Sequence, residues 1–372
     1  MKCLELIVGI LMIVILLSAC NAVSSQSHVH EAMYNKAMNE TPMKNKPNHH
    51  TEKGFQNDPF VETAAAKGPR FYLRRAWDSL FVPDVPDGHV LSEIESAQLL
   101  KNVAGERITW LGHASFLIRI SGMNVLTDPF LTDYASPVPF AGPRRFVGDA
   151  IPINELPPID VVIVSHNHYD HLDDKTVRSL PNKENINVFV PLGLKSFFTQ
   201  RGYSKVTELD WGESKAIGKL KFTALSAVHD SARSVNDKDK TLWSSWAIEG
   251  QEKKVFFVGD SGYSDTIYKK IGEQFGSFDY AILPIGAYEP RELLWMSHVT
   301  PEEAVAIGLD VKAKALIASH WGTLSSLSDE PPFEPPIRFK ASGIEGGFSE
   351  NDIWVMKIGE SRSISTSVKP TL

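Results

Sequence analysis

The sequence predicts an α/β protein in which sheets are covered by helices, because strand-like and helix-like segments interleave from Arg107 onward. Two observations sharpen that expectation. Residues 159–164 are apolar and β-branched apart from Asp160, with Val161-Val162-Ile163-Val164 continuous, as in a strand covered on both faces. Hydrophobic residues make up 42% of the 372-residue chain and charged residues 22%, enough apolar material for a sizeable core.

The elements follow in order. Lys2 gives a short positive region, residues 6–17 are almost wholly apolar, and Leu17-Ser18-Ala19-Cys20 closes the segment. Such a run is short for a spanning helix and suits a signal peptide over residues 1–20. Its ending resembles a lipobox. That resemblance implies lipidation (palmitate) at Cys20 and a lipoprotein anchored to a bacterial cell-envelope membrane on the exported side. Over residues 21–58, Ser, Asn, Gln, Lys, His and Pro displace large apolar side chains, and a disordered tether is expected. His28, His30, His49 and His50 within it could bind metal loosely, and solvated linker histidines are the better reading. The folded body is expected over residues 59–372. Residues 60–101, with Phe71, Tyr72, Trp77 and Phe81 broken by Pro83 and Pro86, read as an N-terminal extension packed on that body.

From Arg107 the pattern predicts strands at 108–111, 115–120 and 124–127, with Ser121-Gly122 as a turn. The buried strand at 159–164 comes next, then strands at 188–190, 220–225, 244–248, 255–258, 280–284 and 315–318. Helices fit 174–180, 193–200, 264–275 and 301–310. Thr300 is the expected cap of the last, with Pro301, Glu302 and Glu303 in its first turn.

Charge and cysteine usage narrow the function. A formal net charge of −7 argues against an extended nucleic-acid surface, which needs clustered Lys and Arg, so no nucleic-acid partner is expected. The two cysteines are Cys3 and Cys20, which leaves the body without thiolates. Any metal site there must be built from His, Asp and Glu.

One cluster stands out: Ser165-His166-Asn167-His168-Tyr169-Asp170-His171-Leu172-Asp173, directly after the buried strand. Three imidazoles and a carboxylate within six residues are too polar for a core. On a sharp strand-to-helix turn, alternate side chains can converge on one point. His166 and His168 suit one ion, and Asp170 and His171 a second. Zn²⁺ fits these donors, with Mn²⁺ or Fe²⁺ as alternatives. His229, Asp260 and His320 then each follow a predicted strand. Alone, each reads as a turn or strand-end residue; their recurrence at strand ends favours a shared metal site.

The order His-x-His-x-Asp-His, then His, Asp and His, resembles the metallo-β-lactamase superfamily. Several segments resemble more narrowly the branch of N-acylphosphatidylethanolamine-hydrolysing phospholipase D and its bacterial relatives. They are Trp110-Leu111-Gly112-His113-Ala114, Leu126-Thr127-Asp128-Pro129, Ala135-Ser136-Pro137 and Gly142-Pro143-Arg144-Arg145-Phe146. Later come Gly259-Asp260-Ser261-Gly262-Tyr263, Pro284-Ile285-Gly286-Ala287-Tyr288-Glu289-Pro290, His298-Val299-Thr300-Pro301-Glu302-Glu303-Ala304 and His320-Trp321-Gly322-Thr323.

The resemblance implies an αββα sandwich with two Zn²⁺ ions at one edge. His166, His168 and His229 would hold one ion, Asp170, His171 and His320 the other, and Asp260 would bridge them. Asp170 and Asp260 are the expected catalytic carboxylates, in a site where coordination lowers the pKa of water to about 7 in favourable cases. His113 and His298 match motif histidines, with orientation of ligands, substrate contact or a structural role left open. Arg144 and Arg145 are candidates for a phosphate contact or an exposed ion pair. Tyr288 opens the apolar stretch 288–296, which is either an acyl-chain groove or core. The expected activity is a phospholipase D-like phosphodiesterase acting on a phospholipid at a membrane. A lactonase or other acyl hydrolase is the alternative, and a non-catalytic envelope binding protein is least favoured because all seven expected ligands are present.

Overall fold

The computed structural model describes residues 46–61, 67–79, 81–102, 105–138 and 140–364. The signal segment, Cys20, His28 and His30 lie outside them. No described helix is long and apolar enough to cross a membrane.

Two helices come first, α1 (Pro69–Asp78) and α2 (Glu93–Asn102). The first half of the body holds β1 (Arg107–Gly112), β2 (Ser115–Ile120), β3 (Met123–Thr127), β4 (Val161–Ile163), α3 (Asp174–Ser179), β5 (Asn187–Pro191), α4 (Lys195–Thr199) and β6 (Lys205–Leu209). The second holds β7 (Ser214–Ile217), β8 (Leu220–Leu225), β9 (Ser245–Glu249), β10 (Lys254–Phe257), α5 (Asp265–Phe275), β11 (Tyr280–Pro284) and α6 (Arg291–Leu294). It continues with α7 (Pro301–Asp310), β12 (Ala315–Ser319), α8 (Pro335–Glu345), β13 (Ile353–Trp354) and β14 (Ser361–Ser363).

These strands make two seven-stranded mixed sheets, ordered β14-β1-β2-β3-β4-β5-β6 and β13-β12-β11-β10-β9-β8-β7. Flanking helices complete an α/β sandwich. Side-chain alternation explains why the sheets face each other. In β4, Val161 and Ile163 enter the core between the sheets. Val162, with Val164 beyond the strand end, packs outward on Leu172, Val177 and Phe198 from the α3 and α4 region. In β2, Phe116, Ile118 and Ile120 enter the inter-sheet core while Leu117 faces the other way.

Local chemistry fits the helices it predicted. Thr300 Oγ1 accepts from the Glu303 N–H, and the Glu303 side chain accepts from the Thr300 N–H, closing a capping box at the start of α7. Ser121 and Gly122 both take positive φ (50° and 81°) in the tight β2–β3 turn.

The elements the pattern does not reveal are those held by pairing rather than burial. β7 exposes three of its four residues and forms by pairing with β8. β14 is Ser-Arg-Ser, with no apolar signature, and forms on the edge of β1.

The expected tether needs correction. Residues 46–58 pack on the body, and His49 and His50 are not solvated linker histidines. His49 is 4% exposed beneath Trp211, and both imidazoles donate from Nε2 to Asp210. Hydrogen bonds rather than apolar burial hold this segment, which composition does not register. The extension packs mainly around His89 and Val90, against Trp110, Trp321, Phe333 and Ile358. Helix α1 itself has no buried residue, and Trp77 is 64% exposed.

Candidate metal centre

The site forms where strands of both sheets end on one edge. β4 runs into Ser165 and the histidine-rich turn; His229 follows β8, Asp260 follows β10, and His320 directly follows β12. Backbones at such ends leave the sheet ladder, so their side chains turn inward without breaking strand hydrogen bonds. His320 takes a φ of 60°, and its N–H donates to the carbonyl of His113, which sits in the β1–β2 turn with a φ of 51°.

Three imidazole nitrogens meet at the first pole. His166 Nε2 lies 2.8 Å from His168 Nδ1 and 3.1 Å from His229 Nε2, and His229 Nε2 lies 3.3 Å from His168 Nδ1. Their other partners fix which nitrogens face inward. The Ser165 hydroxyl donates to Asp128 Oδ2 and therefore accepts from His166 Nδ1–H. His229 Nδ1–H donates to the Ser297 carbonyl, 3.0 Å away. The inward Nε2 atoms of His166 and His229 thus present lone pairs to each other. Lone pairs pointed at one another repel, and a shared cation removes the conflict.

At the second pole, Asp170 Oδ2 lies 3.6 Å from His171 Nε2 and 3.5 Å from His320 Nε2. His113 Nε2 adds a contact of 3.0 Å to the same oxygen. His171 Nδ1–H donates to Asp128 Oδ2 at 2.6 Å, which turns its Nε2 inward. Asp260 Oδ2 sits between the poles, 3.0 Å from His171 Nε2, 3.2 Å from His320 Nε2, 3.9 Å from His229 Nε2 and 4.0 Å from His166 Nε2. His171 Nε2, both ring nitrogens of His320 and Asp260 Oδ1 are buried without a hydrogen-bond partner. Buried polar atoms are rarely left so, and metal bound there would satisfy the inward-facing ones. The donor set fits Zn²⁺.

Electrostatics agree with the crowding. Burial and the imidazoles of His171, His229 and His168 hold His166 well below the usual histidine range. Burial takes His229 down to about 4 despite Asp230 and Asp260. Burial also opposes protonation of His171 and His320, but the carboxylates win there. Asp260 and Asp170 push His171 well above its ordinary value and His320 up to about 9. Burial would raise Asp260, yet His171, His320 and His298 bring it well below the carboxylate range.

The structure brings His166, His168, Asp170, His171, His229, Asp260 and His320 together. His113 and His298 join them, His298 Nδ1 lying 3.7 Å from Asp260 Oδ2. His168, Asp170 and His298 are only partly buried and mark the open side. Arg144, Arg145 and Tyr288 have other neighbours. Arg145 is buried, donating to the Leu111 carbonyl and pairing with Asp149, rather than exposed. Arg144 is exposed and lies over the Tyr134 ring. Tyr288 is buried, its hydroxyl engaged by Glu334 and Arg338. Leu294 and Met296 of the 288–296 stretch are buried as well, which favours core over groove.

Sequence reading missed three supporting residues. Asp128 aligns both His171 and Ser165. Asp230, brought down to about 2 against its burial by His168, His229, Lys238 and Lys67, adds negative charge at the first pole. Asn57 Oδ1 accepts from the His229 N–H and its Nδ2 donates to the His229 carbonyl, each at 3.1 Å. Asp128 lies in the segment Leu126-Thr127-Asp128-Pro129 and so was within reach of the sequence.

Fold and site together define a metal-dependent hydrolase of the αββα class. The chain belongs to the β-lactamase superfamily, since residues 123–321 match the Beta-lactamase superfamily domain. Among its relatives is the N-acyl-phosphatidylethanolamine-hydrolyzing phospholipase D 1 of Caenorhabditis elegans, 41% identical over 242 residues, or 62% of this chain and 68% of the worm protein. The mitochondrial protein of that name from Saccharomyces cerevisiae is 34% identical over 248 residues, 65% of this chain but only 53% of the yeast protein. A metallo hydrolase from Ignicoccus hospitalis shares the fold, with a TM-score of 0.53 at 20% identity, over 69% of this chain and 97% of that one.

Proposed function

We propose that this metal-dependent hydrolase is a dinuclear phosphodiesterase of phospholipase D type, acting on N-acylphosphatidylethanolamine-like phospholipids. The observation that carries the reading is the position of Asp260 Oδ2, within 4.0 Å of imidazole nitrogens from both poles. A carboxylate so placed serves two ions, and paired ions suit in-line displacement at phosphorus. Similarity to the worm and yeast phospholipases supports the substrate class.

When bound, the ion pair supplies an activated water and neutralises charge on the phosphoryl oxygens. The residues of the chain do the rest. Asp260, set between the two poles, would orient the attacking water. His298, partly buried on the open side with Nδ1 3.7 Å from Asp260 Oδ2, is held well below the usual histidine range by burial, His320 and His229, and so would meet substrate as a neutral imidazole. His113 is held down to about 3, first by burial and then by His320, and so steadies Asp170 as a neutral donor.

Beside the second pole lies a cavity of about 360 Å³, lined by His113, His320, Phe81, Val82, Leu327 and Arg74 among others. Phe81, Val82 and Leu327 give it an apolar wall suited to an acyl chain, while Asp78, Asp329 and Glu330 line the rest and Arg74 is paired with Asp78 and Asp329. A lipid on Cys20 would hold the enzyme beside such a substrate and raise its effective concentration. The purified protein should cleave a phosphodiester in a chelator-sensitive reaction, with ester and lactone substrates assayed alongside. Turnover of esters or lactones alone would overturn the substrate class and leave the site intact.

A further inference from the structure

A second group of metal-ligating side chains lies apart from the centre just described. His49 and His50, on the segment that packs across the body, reach Asp210 at the end of β6. His49 Nε2 is 2.6 Å from Asp210 Oδ1, and His50 Nε2 is 2.6 Å from Asp210 Oδ2. The three donors lie within 4.8 Å of one another. All are largely shielded, with side-chain exposures of 5%, 13% and 16%. The His49 ring lies over Trp211 at 4.3 Å, and Phe55 meets the His50 ring edge-on at 5.2 Å.

We propose that His49, His50 and Asp210 bind a structural divalent transition-metal ion, Zn²⁺ by preference, which fastens residues 46–58 to the body. Two imidazoles and one carboxylate are a donor set that Zn²⁺, Fe²⁺ and Ni²⁺ all accept. To place an ion about 2.0–2.2 Å from each donor, the contacts need open by less than about 1 Å. The segment itself calls for such a tie. It carries few large apolar residues, so burial alone gives it little cohesion with the body. Yet Asn57 within it must hold both the N–H and the carbonyl of His229, and it also accepts from Trp243 Nε1. A metal closing the contact between residues 49 and 210 joins chain segments some 160 positions apart and keeps Asn57 in place.

The test loads the full, metal-stripped chain with Zn²⁺ and counts ions per chain after equilibrium dialysis. Wild type should hold three, and a His49→Ala/His50→Ala variant two. The conservative His50→Gln variant should weaken the third ion at least about tenfold while keeping the first two. Hydrogen exchange on wild-type protein gives a readout that does not depend on any variant folding. Amides of residues 49–58 should gain protection as the third equivalent is added. Equal stoichiometry in wild type and variants, or protection in this segment indifferent to the third equivalent, would overturn the proposal and leave a hydrogen-bonded clasp.

Discussion

At the residue scale, the centre depends on groups that set the direction of each imidazole. Asp128 is the most consequential, because one carboxylate orients His171 directly and His166 through Ser165. Asp128→Ala should weaken metal binding about 10–100-fold, as measured by competition with a chelator. An unchanged affinity would remove Asp128 from the account. Protonation gives a second prediction. Burial works against a proton on His320, but Asp260 and Asp170 raise it from its ordinary value to about 9. In the metal-free protein the resulting stabilisation is full below the unfolded histidine value and disappears as pH rises through about 9. Metal must displace that proton, so affinity should climb with pH up to about 9. Calorimetry at pH 8 in buffers of different ionisation enthalpy should show proton release on binding; no release would contradict the assignment. The clustered His and Asp side chains were legible because they fall in turns that follow strands. Asn57 was not, since its partner is a backbone group 172 residues away.

At the element scale, the strand ends bring the donors close, and the packing there is tight. Gly259, between β10 and Asp260, has a φ of +69°, and a Cβ on it would lie 2.3 Å from Ser165 Cβ and 2.6 Å from its Oγ. Gly259→Ala would displace Ser165 and strain the backbone, at a cost of about 1–3 kcal/mol. Thermal unfolding should register that loss, together with weaker metal binding. Wild-type values for both would show that the crowding at this strand end is relaxed. Most core strands were readable from the sequence because burial on one or both faces writes a period into it. β7 and β14 write none, being exposed or formed by pairing with a neighbour, so only the assembled sheet reveals them.

At the scale of the whole molecule, two sheets with a shared core carry their functional groups on one common edge, and a polar N-terminal segment reaches that edge from outside. The α/β class and the grouping of histidine and aspartate side chains at strand ends could be read from the sequence. The docking of residues 46–58 could not, because it depends on polar contacts with Asp210 and His229 rather than on hydrophobic pattern. The most direct test of the two-ion account is a Zn²⁺ titration of metal-stripped protein, following phosphodiester hydrolysis in wild type and Asp260→Asn. Wild-type activity should grow with the two tightest equivalents, and Asp260→Asn should lose most activity at full loading. Activity that persists without metal, or that Asp260→Asn leaves unchanged, would contradict it.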